Sequence, residues 1–150
     1  MAVVSSPTGR ALGVDLGARR IGLALSDRTR TVAAPHEVLR RGADHAQDHE
    51  AIVSIAREEG VTTIVVGLPL SLSGKSGPAA RAARKEVAEL RVSAAEADID
   101  VVVHDERFTT VTAERSLIEA GMRRDARRGV VDKVAAAVML QSWLEQGRNA

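Results

Sequence analysis

The chain has 150 residues, 45% of them apolar and 27% charged, enough for one ordinary domain with a core of its own and too apolar for a disordered segment. It contains no cysteine, so a disulfide framework and a thiolate metal site are both excluded. With a net charge of +1, no apolar run long enough to span a bilayer and no leader-like N-terminus, the expected location is the cytoplasm and no membrane partner is expected.

Ala11–Gly17 and Ile21–Asp27 read as two strands joined by the tight "GARR" link, a hairpin. A third short strand is expected within Thr31–Leu39, interrupted or ended near Pro35. Asp44 with Gln47 makes a capping box for a helix to about Glu59, stopped by Gly60. "TTIVVGLP" is a continuous apolar run bounded by turn residues, the mark of a strand covered on both faces. The Gly/Ser-rich loop "SLSGKSGP" leads into a long Ala-rich helix over Ala79–Ala97, and "DIDVVVHDERF" is a further buried strand. Thr109–Ala120, capped by Thr109 or Thr110, and Val130–Glu145 are the remaining helices. Three strands that can pair antiparallel, followed by alternating helices and strands, predict an α/β fold. Its mixed five-stranded sheet is flanked by helices on both faces in the ribonuclease H-like order, as a single domain over 1–150.

Three acids stand where a fold has little use for charge. Leu12, Val14 and Leu16 share one face of the first strand, and Asp15 lies on the other between Gly13 and Gly17. A charge in a core costs several kcal/mol unless it is paired, hydrogen-bonded or bound to a metal, and the two glycines leave room above it. Val101–Val103 run straight into His104, Asp105 and Glu106, at the strand end where open α/β sheets place their ligands. Asp105 and Glu106 point to opposite faces, so at most one joins Asp15 directly. In the last helix Asp132 lies on the side of Ala136, Met139 and Trp143, the stripe that must face the sheet.

Each acid has an ordinary explanation. Turn amides or Arg20 could hold Asp15, Arg107 could pair with Glu106, and Asp132 could serve the helix dipole. Taken together they predict a cation that neutralises them. Oxygen ligands without cysteine or a well-placed histidine cluster select Mg²⁺ or Mn²⁺ over zinc, and a pair of such ions stabilises the attacking and leaving oxygens of phosphoryl transfer.

The stretches "GVDLGARRIGLALSD" (13–27), "VVGLPLSLSGKSGPAA" (65–80), "DERFTT" (105–110) and "VDKVAAAVMLQSWL" (131–144) resemble the YqgF/RuvX family. Its members are described as pre-16S rRNA nucleases and as Holliday junction resolvase-like proteins. The resemblance implies a ribonuclease H-like fold with an acidic metal site. The family's first Asp falls on Asp15, its strand-five acids on Asp105 and Glu106, and its helical Asp on Asp132. Asp15, Glu106 and Asp132 are thereby expected to be catalytic and, with Asp105, to ligate two Mg²⁺ or Mn²⁺ ions; Glu106 ranks above Asp105. After Pro69 the chain departs from the family, with Ser73–Gly74 where an Asp-Gly is frequent. The implied reaction is phosphodiester hydrolysis at the 5′ end of precursor 16S rRNA. The alternative substrate is branched DNA, which requires two active sites and hence a homodimer.

Arginines come in pairs, and their forks match phosphate oxygens. Arg20, Lys75, Arg107, Arg123, Arg124, Arg127, Arg128 and Lys133 are the candidates for holding a nucleic-acid backbone, in contacts that would weaken with salt. "SGKS" is no P-loop, because Pro69 stands where the pattern requires glycine. His45 and His49 have i, i+4 spacing but no zincin glutamate between them, and their segment reads as a polar helix start. Trp143 and Phe108 are too few for a base-stacking platform. Two rival classes remain. "VDLGARRIG" also resembles the first phosphate loop of actin-like ATPases, which need two lobes, and a non-catalytic nucleic-acid-binding module would keep the acids for structure alone.

Overall fold

The hairpin expected around "GARR" is present, with Leu16 opposite Ile21 and Asp15 opposite Gly22. A computed structural model describes residues 9–68, 77–106, 109 and 131–149. Its strands are β1 (Arg10–Leu16), β2 (Arg20–Ser26), β3 (Ala33–Arg40), β4 (Val61–Leu68) and β5 (Asp100–Asp105). Its helices are α1 (His45–Glu58), α2 (Pro78–Ala95) and α3 (Val131–Asn149). Apart from Thr109, the helix expected at Thr109–Ala120 and most of the "SLSGKSGP" loop lie outside the described residues.

The five strands form one sheet in the order β3-β2-β1-β4-β5. β1 pairs antiparallel with β2 and parallel with β4, which makes the sheet mixed as expected. The third strand is interrupted near Pro35 but not ended there. β3 is an edge strand, so a missing N–H is tolerated there, and the pairing shifts where Leu23 faces Glu37 but Ala24 faces Pro35.

Asp44 caps α1 by accepting from the Gln47 amide at 2.9 Å. The return bond of the box reaches one residue further back, from the Ala43 amide to Gln47 Oε1 at 3.1 Å. Gly60 follows the helix at φ +70°, a conformation that favours glycine.

The sheet is covered on both faces. Leu12, Val14, Leu23, Ile64 and Val66 pack with Ile52 of α1 and Leu90 of α2. Ala11, Ala24 and Val65 pack on the other face with Ala136, Ala137, Met139 and Leu140 of α3. Gly13 permits the second contact, since a Cβ there would stand 2.8 Å from Leu140 Cβ and 3.0 Å from the Ala136 carbonyl. Residues 13 and 15 share a face, so α3 covers the side of the sheet that carries Asp15.

On the opposite side a buried polar network joins β3, α1 and α2. Arg41 grips Glu86 with two bonds, Nη1–Oε2 at 2.5 Å and Nη2–Oε1 at 2.9 Å, and reaches Asp48 Oδ2 at 3.1 Å. Its Nε donates to the Gly17 carbonyl at 3.0 Å, tying the network to the turn after β1.

Candidate active site

Both strands beside Asp15 present a glycine to it. Gly22 is its partner on β2, and Gly67 on β4 stands one residue beyond the Val14–Val66 pair. These notches are filled from above. A Cβ on Gly22 would lie 2.1 Å from the Asp132 carbonyl oxygen, and one on Gly67 would lie 2.8 Å from Glu106 Oε1 and 2.8 Å from Met139 Cγ. The first turn of α3 and the Glu106 side chain are therefore seated on either side of Asp15.

The end of β5 decides which acid turns inward. His104 faces α3, with Nε2 3.2 Å from Ser142 Oγ, and is aligned with Gly67 across the β4–β5 pair. Alternation sends Asp105 to the opposite face and returns Glu106 to the side of Asp15. Burial lowers the His104 imidazole below its ordinary value, against the pull of Asp105.

The electrostatics follow from this crowding. Burial lifts the Asp15 carboxyl above its ordinary value, and the charge on Asp132 lifts it further. Glu106 is raised by burial first, then by Asp15 and Asp105. Asp15 is thus the acid that feels both of the others. Arg20 does not hold Asp15; its Nε donates to Asp132 Oδ2 at 2.7 Å in a largely exposed ion pair. The three carboxylates do not close into a tight ligand set. Among the described residues, the three-member group of possible ligands whose atoms lie within 4.8 Å of one another is His45, His49 and Glu89. Like charges stand apart around Asp15, and an all-oxygen set of half-buried, mutually repelling carboxylates fits a hard divalent cation.

Of the basic candidates, Arg20 stands at the site and Lys133 is half-buried in the first turn of α3. Lys75, Arg107, Arg123, Arg124, Arg127 and Arg128 lie outside the described residues. Neither Gly22 nor Gly67 breaks the strand pattern around it in the sequence. A signal for Gly22 existed, because a tight link that sets Leu16 opposite Ile21 must also set Asp15 opposite Gly22. Gly67 had none, since parallel register is fixed only by the assembled sheet.

A family model described as "RuvX: Holliday junction resolvase" matches residues 9–146. The chain belongs to the RuvX family. The match runs from the residue before β1 into α3 and so includes all four acids. This RuvX chain is 44% identical to a protein of Mycobacteroides abscessus named "Putative pre-16S rRNA nuclease", over 94% of this chain and 84% of the relative. It is 41% identical to a protein of the same name from Roseiflexus sp., over 97% of this chain and 100% of the relative. Among solved structures, the RuvX fold is similar to Thermus thermophilus RuvC in complex with a Holliday junction substrate. The TM-score is 0.64 at 12% identity, covering 95% of this chain and 96% of that one. That likeness shows the ribonuclease H-like fold.

Proposed function

We propose that this RuvX protein is a metal-dependent nuclease that hydrolyses phosphodiester bonds at the 5′ end of pre-16S rRNA, in the cytoplasm. The observation that carries the reading is the placement of Asp15 between two glycine notches, with Glu106 on one side and Asp132 on the other. The names of its relatives supply the substrate.

Asp15, Glu106 and Asp132 are the residues that would hold two Mg²⁺ or Mn²⁺ ions; Asp105, expected from the sequence as a further ligand, leaves the strand on the opposite face and would not join them. Such ions, when bound, polarise the phosphate and stabilise the attacking and leaving oxygens. Burial and the neighbouring Asp132 disfavour the charged form of Asp15, a cost that a cation beside it would offset. Arg20 steadies Asp132 and can trade that carboxylate for a phosphate oxygen. Arg20 and Lys133, together with Lys75, Arg107, Arg123, Arg124, Arg127 and Arg128, bind the nucleic-acid backbone in this reading.

The description of the matching family favours a second substrate, branched DNA. A resolvase must cut two strands and would act as a homodimer. A cleavage assay with Mg²⁺ or Mn²⁺ separates the readings, using single-stranded RNA with a precursor-rRNA 5′ end, duplex DNA and a four-way DNA junction. Cutting of the RNA supports rRNA processing, and cutting of the junction by a dimer supports the resolvase. Binding without cleavage of any substrate would reduce the protein to a nucleic-acid-binding module.

A further inference from the structure

We propose that His45, His49 and Glu89 form a second metal site, for a borderline divalent cation of the zinc class, which clamps α1 to α2 on the face of the sheet opposite Asp15. The inference does not rest on the nuclease reading.

The Asp44 cap starts α1 at His45, which puts His45 and His49 one turn apart on the same helix face. Spacing alone supplies no third ligand, but the fold does. Glu89 reaches across from α2, with Oε1 2.8 Å from His45 Nδ1, and the three candidate ligand atoms all lie within 4.8 Å of one another. The two imidazole centroids are 5.7 Å apart. With metal–ligand bonds of about 2.0–2.1 Å, the edge of a tetrahedron is roughly 3.3 Å. Small rotations of His45 and Glu89, both substantially exposed, would close the set around an ion.

His49 is prepared for the task. Its ring is buried and Nε2 is bonded to Glu86 Oε2 at 2.9 Å, so the lone pair it has to offer is that of Nδ1. A carboxylate behind a ligating imidazole fixes its tautomer and orientation. Glu86 is itself immobilised by the two bonds from Arg41.

Charge points the same way. Arg41 is committed to Asp48 and Glu86, while Glu89 is paired with the imidazole of His45, so a cation held between His45, His49 and Glu89 would add to the positive charge facing these carboxylates. Two imidazole nitrogens with one carboxylate select zinc or a neighbouring transition metal rather than Mg²⁺, and leave a fourth position for water. The sheet separates this site from Asp15.

Metal binding by the full-length protein tests the proposal, with Zn²⁺ titrated by calorimetry and Co²⁺ followed by visible absorption. The Asp15→Asn variant serves as the background, so that the carboxylates beside α3 do not dominate the signal. One equivalent of Zn²⁺ should bind and raise Tm, and Co²⁺ should show the d–d absorption of a tetrahedral complex. His45→Gln and Glu89→Gln change exposed side chains, so both variants should fold. Each should lower the Zn²⁺ affinity at least about tenfold and remove the Co²⁺ band. Unchanged affinity in these variants, or no stoichiometric binding in the background protein, would overturn it.

Discussion

The main-chain carbonyl of Asp132 rests so close over Gly22 that a Cβ on that glycine would stand 2.1 Å from its oxygen. Because Gly22 is the β2 partner of Asp15, this contact delivers the head of α3 to the first acid. Gly22→Ala must push the helix away. It should cost about 1–3 kcal/mol in urea unfolding and reduce cleavage on top of that loss. Gly147→Ala, where nothing lies within 4 Å, should leave cleavage unchanged and is the matched control.

Asp15 is carried at a cost to stability. Its half-buried carboxylate faces Asp132 and sits beside Glu106, and removing the charge relieves both burial and repulsion. Asp15→Asn should therefore raise Tm of the protein stripped of divalent ions, each 1 kcal/mol being worth roughly 2–4 °C at this chain length. Calorimetric melting in the presence of a chelator reads it out. A lower Tm would mean that the carboxylate serves the fold.

Two arginines differ sharply in what they support. Arg41 is the guanidinium that holds Glu86 and Asp48, whose side chains are only 6% and 5% exposed. Arg41→Ala leaves both charges buried and should cost about 3–5 kcal/mol. Arg20 pairs with Asp132 at the surface, and Arg20→Ala should change unfolding by less than about 1 kcal/mol. Its effect should fall on substrate binding, as a higher KM and a shallower dependence on salt.

Asp27 makes the β2–β3 turn sensitive to acid. Its Oδ1 accepts from the Thr31 and Val32 amides at 2.7 and 3.0 Å, and the Thr29 hydroxyl donates to Oδ2. Slight burial works to raise this carboxyl, but these hydrogen bonds outweigh it and hold it below its ordinary value. The folded state therefore favours the charged form. The resulting stability is fully present above the unfolded-state pKa and is lost as pH falls through the folded one. Tm measured against pH should separate wild type from Asp27→Asn near neutrality, and the curves should converge in acid.

The parts of this site legible in the sequence were those that break a local pattern. Asp15 interrupts an apolar strand, Glu106 follows a run of valines, and Asp132 heads the apolar stripe of a helix. What was not legible depends on which elements become neighbours. Arg20 pairs with Asp132, 112 positions away, rather than with Asp15 five residues before it. Glu86 reads as one polar residue of an Ala-rich helix, yet it is buried between Arg41 and His49. Pro35 looks like a strand breaker until the strand proves to be an edge. The histidine pair remains a polar helix start until α2 brings Glu89 against it.

The central claim is that Asp15, Glu106 and Asp132 act together as the catalytic acids. It is tested most directly by single-turnover cleavage with Asp15→Asn, Glu106→Gln and Asp132→Asn on the substrate the wild type cuts, each variant checked by its Tm. All three should stay folded and lose more than the roughly 10–100-fold that removal of an outer-sphere partner costs. Asp105→Asn should lose less, because its side chain leaves the strand on the other face. Wild-type rates in any of the three folded variants would contradict the account.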